Sequence, residues 1–371
     1  MSTKNTISIF VDCHVFDGGF QGTRTYIQGL YSELIKYQDI HFFLGSNKPE
    51  NLRSVFGNHL NVKYVKYRHH SKYLRLLLDI PQIIKKNKID FAHFQYIVSP
   101  LKRCKYIVTT HDVLFIDFPA FFPFFSRIIN TILYRQSAKW ADIKLTVSEY
   151  SKQKIEQHFR LSNYAITPNA VDDTFFEDYD KEWIKAKVMK EFSLKEYIIY
   201  VSRWEPRKNQ QMVLKAFVEL ELYKKHQLLF LGDNTIFNHE YNEVFDQLSP
   251  EIKKQVITLK KTDFQSMLLL LKGATASVYP SVAEGFGIPP LEAVAAKIPT
   301  ICSYKTAMSD FSFFNEFYFD PYNQVEFNKK LVRILEENLS LDFEIMAQKI
   351  RENYNWEKSA AVLYQLIKQK K

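Results

Sequence analysis

The feature that most constrains this chain is an alternation. Short runs rich in β-branched and aromatic residues are each followed by a longer stretch of helical periodicity. In the first half the strand-like runs are 7–12, 40–44, 62–65, 91–94, 106–110, 143–147 and 165–167. In the second half they are 197–202, 228–231, 256–259, 276–279, 300–302 and 317–319. Amphipathic stretches such as 25–36, 125–140, 210–222 and 324–339 lie between them. Strands that alternate with helices form parallel sheets covered on both faces. The pattern runs twice, and 371 residues exceed the roughly 250–300 at which a single core stops growing. The expectation is an α/β chain of two doubly wound domains. The boundary is placed in the acidic segment 173–182, giving domains 1–178 and 179–355. The remainder, 356–371, reads as a closing helix. Its Ala360, Leu363, Leu366 and Ile367 recur at helical spacing and favour packing back on the first domain. Ligands of open α/β sheets bind outside the carboxyl ends of the strands. Two such domains facing one another are expected to form a cleft there.

Composition narrows the partners. With 46% apolar and 25% charged residues the chain can bury two cores, which excludes disorder. Cys13, Cys104 and Cys302 are odd in number and widely spaced, which fits a reducing compartment and argues against a disulfide framework or zinc ribbon. No apolar run suits a secretory leader at 1–10 or reaches the ~20 residues needed to span a bilayer. A cytoplasmic location is expected. The net charge of +9 suits anionic partners. It is concentrated at 63–88, where Lys63, Lys66, Arg68, Lys72, Arg75, Lys85, Lys86 and Lys88 face only Asp79, with tyrosines and leucines interleaved. This stretch is either a solvated helix face or a docking surface for an anionic membrane, which would make the protein peripheral at the inner face. No recognition helix or RNA-binding aromatic signature accompanies the charge, so nucleic acid is not expected as a partner.

Four segments carry chemistry. At 279–300, YPSVAEGFGIPPLEAVAAKIPT, a strand runs into a glycine turn and then a helix opened by Pro289 and Pro290, where a missing N–H costs nothing. Gly285 and Gly287 let backbone amides approach a ligand, and Glu284 and Glu292 can accept hydrogen bonds from sugar or ribose hydroxyls. At 200–211, YVSRWEPRKNQQ, Arg203 and Lys208 lie on a strand–loop–helix connection suited to a diphosphate, with Arg207 as an alternative. At 106–119, YIVTTHDVLFIDFP, His111 and Asp112 follow a strand. The histidine is placed to donate to a sugar hydroxyl or orient an acceptor, and the aspartate to cap the loop. At 17–26, DGGFQGTRTY, Gly22, with Gly19 second, is the candidate for close approach to a ligand. Asp178-Tyr179-Asp180 has the DxD form of metal-dependent transferases but reads as solvated linker charge. No other pattern supports a metal site.

The 284–292 segment resembles the glutamate-x7-glutamate signature of retaining family 4 glycosyltransferases, down to the intervening GFGIPPL. Weaker matches in family order run through VSEYSKQKI, ITPNAVDDTFF, LGDN, YFDPYN and Trp356-Glu357 and span nearly the whole chain. The resemblance implies the GT-B fold, two Rossmann-like domains, and a retaining, metal-independent hexosyltransferase. It implies a nucleotide-sugar donor linked to GDP or UDP, with mannose the family-level choice, and no other cofactor. The acceptor would be a hydroxyl of a glycan or lipid-linked oligosaccharide, in surface polysaccharide synthesis. It gives catalytic roles to His111, Arg203, Lys208 and Glu284. Donor contacts fall to Gly22, Glu284, Gly285, Phe286, Gly287, Ile288 and Glu292. Ser202 departs from the family, which often carries glycine before the arginine. The rival readings are another GT-B sugar-nucleotide enzyme and a non-catalytic sugar- or nucleic-acid-binding protein.

Overall fold

Ile7–Asp12 is apolar on both sides because it becomes β1, the strand next to the centre of a sheet covered on both faces. The computed structural model describes residues 6–18, 22–233, 236–260 and 262–371. The first sheet continues with β2 (Ile40–Ser46), β3 (Val62–Lys66), β4 (Phe91–Gln95), β5 (Lys105–Thr109), β6 (Ile143–Thr146) and β7 (Tyr164–Ile166). Its order is β3-β2-β1-β4-β5-β6-β7, with every pairing parallel. The second sheet contains β8 (Tyr197–Val201), β9 (Gln227–Leu231), β10 (Val256–Leu259), β11 (Ala276–Tyr279), β12 (Thr300–Ser303) and β13 (Tyr318–Phe319). Its order is β10-β9-β8-β11-β12-β13, again all parallel. Every run read as a strand is one. Helix ends moved more. The stretch expected at 210–222 stops at Glu219, because Glu221 takes a left-handed backbone (φ 51°) that ends the helix.

The chain divides into two compact units: one runs up to Ala170 and regains Trp356–Lys371, the other is Val171–Asn355. The division falls before the acidic segment rather than within it, because side chains tie that segment to the second unit. Phe175 is buried edge-on against Phe264, and Lys272 Nζ donates to the carbonyls of Thr174 and Glu177 (2.9 and 3.2 Å). Tyr179 OH donates to the Ala296 carbonyl (2.7 Å), and Asp180 caps helix Lys181–Phe192. Asp178-Tyr179-Asp180 is therefore not linker but part of the second unit's fold.

Helix Trp356–Lys370 lies on helix Gly22–Leu34 within the first unit. Ala360, Leu363 and Ile367 are buried, Tyr364 stacks on Tyr37 with ring centroids 4.0 Å apart, and Lys368 and Tyr364 both bond Asp39. The Trp356 ring occupies the space over Gly29, where an added Cβ would lie 2.0 Å from it.

Candidate functional site

In each sheet the connections reverse direction at one pair of neighbouring strands, β1/β4 in the first and β8/β11 in the second. Loops leaving the carboxyl ends of such a pair splay apart and open a crevice. In the second unit that crevice is flanked by the loop after β8 and the loop after β11, which are the two segments singled out at 200–211 and 279–300.

Pro206–Lys208 forms a tight turn after β8, and Asn209 (φ 58°) redirects the chain into helix Gln210–Glu219. Tyr200 OH holds the turn by donating to the Lys208 carbonyl (2.7 Å), and the Arg207 carbonyl accepts from Val282 N (2.8 Å) across the crevice floor. These bonds turn two cations toward Glu284. Lys208 Nζ bonds Glu284 Oε1, and Arg207 Nη1 bonds Glu284 Oε2 at 3.0 Å and the Ala283 carbonyl at 2.6 Å. Arg207 Nε is in turn held by Glu205 at 2.7 Å. Burial alone would raise the Glu284 carboxyl, but Lys208 and Arg207 outweigh it and hold it down to about 2. Burial also lowers Lys208, against the pull of Glu284. The result is a carboxylate ionised under all ordinary conditions beneath two positive charges.

The sequence expectation named Arg203 and Lys208. Lys208 lies in the cluster, while Arg203 projects to solvent, 61% exposed, with Nε 3.8 Å from Glu205 Oε1. The two are on the same loop but do not touch the same carboxylate. Arg207, only an alternative from sequence, takes the place beside Glu284. Ser202 keeps its N–H on the Leu231 carbonyl, so the missing glycine leaves the strand ladder intact.

After β11, the Glu284 backbone is fixed from both sides: its N–H donates to Thr306 Oγ1 (2.8 Å) and its carbonyl accepts from Ala307 N (3.3 Å). No sequence signal pointed to Thr306. Gly287 has φ 100°, and a Cβ there would meet Met308 Cγ at 2.8 Å, so only glycine fits. It opens helix Ile288–Ala295, whose prolines at 289 and 290 lack N–H groups. The amide of Ile288 is thus the last before two that have none to offer. The Phe286 ring is buried against Phe311 and Tyr354 (centroids 5.5 and 5.8 Å). Glu292 is half-buried on the same helix. Burial pushes its carboxyl up to about 7, with the charge of Asp172 adding to the effect.

In the first unit, His111 follows β5, buried between the rings of Tyr26 (centroids 4.9 Å apart, near-perpendicular) and Tyr96 (5.3 Å, tilted). Its Nε2 bonds Gln95 Oε1 at 2.7 Å, and Gln95 Nε2 reaches His93 Nε2 at 3.3 Å. An amide oxygen only accepts, so His111 Nε2 carries the hydrogen and Nδ1 keeps its lone pair. Burial pushes the imidazole down to about 3, so it stays neutral. The sequence reading had His111 donating to a sugar hydroxyl or orienting an acceptor; the Gln95 bond occupies the Nε2 donor, so of its two ring nitrogens only Nδ1, an acceptor, is left for either role. Asp112 Oδ1 accepts from Leu114 N (3.2 Å), capping the turn. Gly22 opens helix Gly22–Leu34, and a Cβ there would meet no described atom within 4 Å. Gly19 lies outside the described residues.

Parts of the basic stretch face inward. Arg75 is buried with Nη2 3.5 Å from Asp12 Oδ2, and Tyr67 OH donates to Asp12 Oδ1 (2.7 Å). Burial would raise Asp12, but His14 and Arg75 hold it well below the usual carboxylate range. Among the described residues no three His, Cys, Asp or Glu side chains converge as a metal site requires. No described helix is long and apolar enough to cross a membrane.

Residues 20–175 match the family "Glycosyltransferase Family 4", and residues 181–355 match "Glycosyl transferases group 1". An O-antigen chain mannosyltransferase B of Escherichia coli is 26% identical over 225 residues, covering 58% of this chain and 56% of that protein. The chain spans about half the length of the curated relatives it matches. A sucrose-phosphate synthase of Thermosynechococcus elongatus superposes with a TM-score of 0.77 at 15% identity, covering 98% of both chains. HepE of Anabaena in complex with UDP and glucose gives 0.73 at 15% identity, covering 98% of this chain and 100% of that one. At such identities the structural likeness speaks to fold.

Proposed function

Since the chain belongs to the group 1, family 4 glycosyltransferases and carries their GT-B fold of two parallel-sheet Rossmann-like domains, we propose that it transfers a hexose from a nucleotide diphosphate sugar to a hydroxyl. The observation that carries this reading is the pair of cations, Lys208 and Arg207, gripping Glu284 at the β8/β11 crevice. Transfer from a nucleotide sugar releases a diphosphate, and fixed positive charge beside the breaking bond stabilises the charge that develops there. Lys208 and the exposed Arg203 neutralise the diphosphate. Arg207 orients Glu284, whose carboxylate accepts hydrogen bonds from the sugar. The backbone at 286–288 supplies donors, and Glu292 takes the ribose hydroxyls.

The anomeric configuration is retained, with the departing phosphate oxygen taking the acceptor proton on the same face. The neutral imidazole of His111 accepts from a sugar hydroxyl, and Gly22 leaves room for a ligand at the start of its helix. No metal takes part, because the site's own cations carry the charge. The relatives' names favour mannose; GDP as its carrier is the family-level choice, and UDP is the second, since HepE is described with UDP. The acceptor is a glycan or lipid-linked oligosaccharide of surface polysaccharide synthesis, which places the protein in the cytoplasm, peripheral at the inner face of the membrane.

The test is to incubate the protein with GDP-mannose or UDP-sugars and a glycan acceptor bearing free hydroxyls, in chelator, and follow the product by proton NMR. An axial-donor sugar appearing as an axial glycoside, with nucleoside diphosphate released, is the expected result. Inverted product, or release of sugar phosphate, would overturn the mechanism.

A further inference from the structure

An amphipathic helix on a sheet ordinarily turns its apolar stripe inward. Helix Phe124–Trp140 turns one outward. Phe125, Ile128, Ile129, Ile132 and Leu133 recur at i, i+3, i+4, i+7 and i+8 and are exposed by 77, 44, 55, 62 and 38%, with Phe124 beside them at 59%. The opposite side seats the helix. Tyr134 stacks on Tyr96 (4.6 Å), and Ser137 Oγ accepts from Val98 N (3.2 Å).

A second apolar strip lies on the same side of this unit. Tyr73, Leu74, Leu77 and Leu78 are exposed, while Leu76, Ile80 and Ile84 enter the core cluster that Trp140 also packs against. The connections β3→β4 and β5→β6 run in the same direction along the sheet, and right-handed crossovers then place both on one face. Soluble chains rarely leave contiguous apolar patches of this kind without an occupant.

The charge pattern selects the occupant. Residues 124–140 contain no Asp or Glu, but Arg127, Arg135 and Lys139. Lys85 and Lys86 are exposed at the end of helix Ile80–Asn87. Nearby acids are matched: Asp117 with His158 (2.7 Å) and Lys154 (3.8 Å), and Asp142 with Lys102 (2.8 Å). A second copy meeting this face symmetrically would bring like charges together. A bilayer with anionic headgroups accepts both the rings and the cations.

We propose that the first unit docks on anionic phospholipid bilayers through the outward face of helix Phe124–Trp140, with residues 73–78 alongside. The basic stretch 63–88 contributes only its exposed part, since Tyr67 and Arg75 face inward. The inference does not depend on any transfer reaction.

The test is co-sedimentation of the whole chain with vesicles of phosphatidylcholine alone and of phosphatidylcholine mixed with phosphatidylglycerol. Binding should rise with phosphatidylglycerol and fall with salt. The triple variant Phe125→Ser, Ile129→Ser, Ile132→Ser should lose roughly 100-fold or more in partitioning, and Arg127→Gln with Lys139→Gln should lose the preference for anionic lipid. Unchanged circular dichroism and thermal transition show that both variants fold, as expected for exposed sites. Equal partitioning of wild type and triple variant, or no partitioning of the wild type, overturns the proposal. So does a wild-type dimer in sedimentation velocity that the triple variant dissolves, which would make the face an interface between copies.

Discussion

At the residue scale, Glu284 and Glu292 are two carboxylates eight positions apart with opposite environments. Glu284 lies under Lys208 and Arg207 and is held to about 2, while Glu292 is pushed to about 7 by burial and by Asp172. A carboxyl whose folded value is raised destabilises the fold as it ionises, so stability falls as pH rises from near 4.5 through 7. Glu292→Gln removes that penalty. It should be near neutral at pH 4.5 and stabilising by up to about 3 kcal/mol at pH 8, read as a difference between thermal transitions at the two pH values. Glu284 works in the other direction: its contribution is complete above the ordinary carboxylate range and lost as pH falls toward 2. Lys208→Ala should lower kcat by about 100-fold or more, with turnover and thermal midpoint measured together so that folding loss is separated. Loss of Arg207 leaves Glu284 one cation, so Arg207→Ala should lower kcat by roughly tenfold, with a smaller loss in Arg207→Lys.

At the scale of elements, strand positions were legible in the sequence because strands buried on both faces must be nearly continuous apolar runs. The β11–helix turn was legible because a positive φ and a proline-started helix leave a glycine–proline signature. The Gln95–His111 bond was not. It depends on β4 lying beside β5 with Gln95 opposite Thr109, a register no local pattern announces. Helical periodicity revealed a stripe at 125–140 but not the direction it faces, since an outward and an inward stripe have the same spacing. Gly29 and Gly287 are among the glycines at which elements depend on close approach. Gly29→Ala would drive a methyl into the Trp356 ring and Gly287→Ala would strain φ and strike Met308. Each should lower stability by about 1–3 kcal/mol, read from chemical denaturation. Only Gly287→Ala should also weaken nucleotide binding.

On the scale of the whole molecule, the chain crosses from one unit to the other and comes back, so its last helix completes the unit that its first strand began. A chain ending at Asn355 would expose the surface that Ala360, Leu363 and Ile367 cover. Calorimetry should show the first unit melting earlier while the second keeps its nucleotide-dependent transition. The two-domain repeat was readable from the alternation of elements. The assignment of 171–178 was not, because acidic composition suggests a linker and only the packing of Phe175 and Tyr179 shows otherwise.

The central claim is that the cations after β8 hold a nucleoside diphosphate beside Glu284. Isothermal titration of GDP and of UDP into wild type, Lys208→Ala and His111→Ala tests it most directly. One diphosphate should bind wild type and His111→Ala alike and lose about tenfold or more in Lys208→Ala. Equal affinity in wild type and Lys208→Ala, or no binding of either diphosphate, would contradict it.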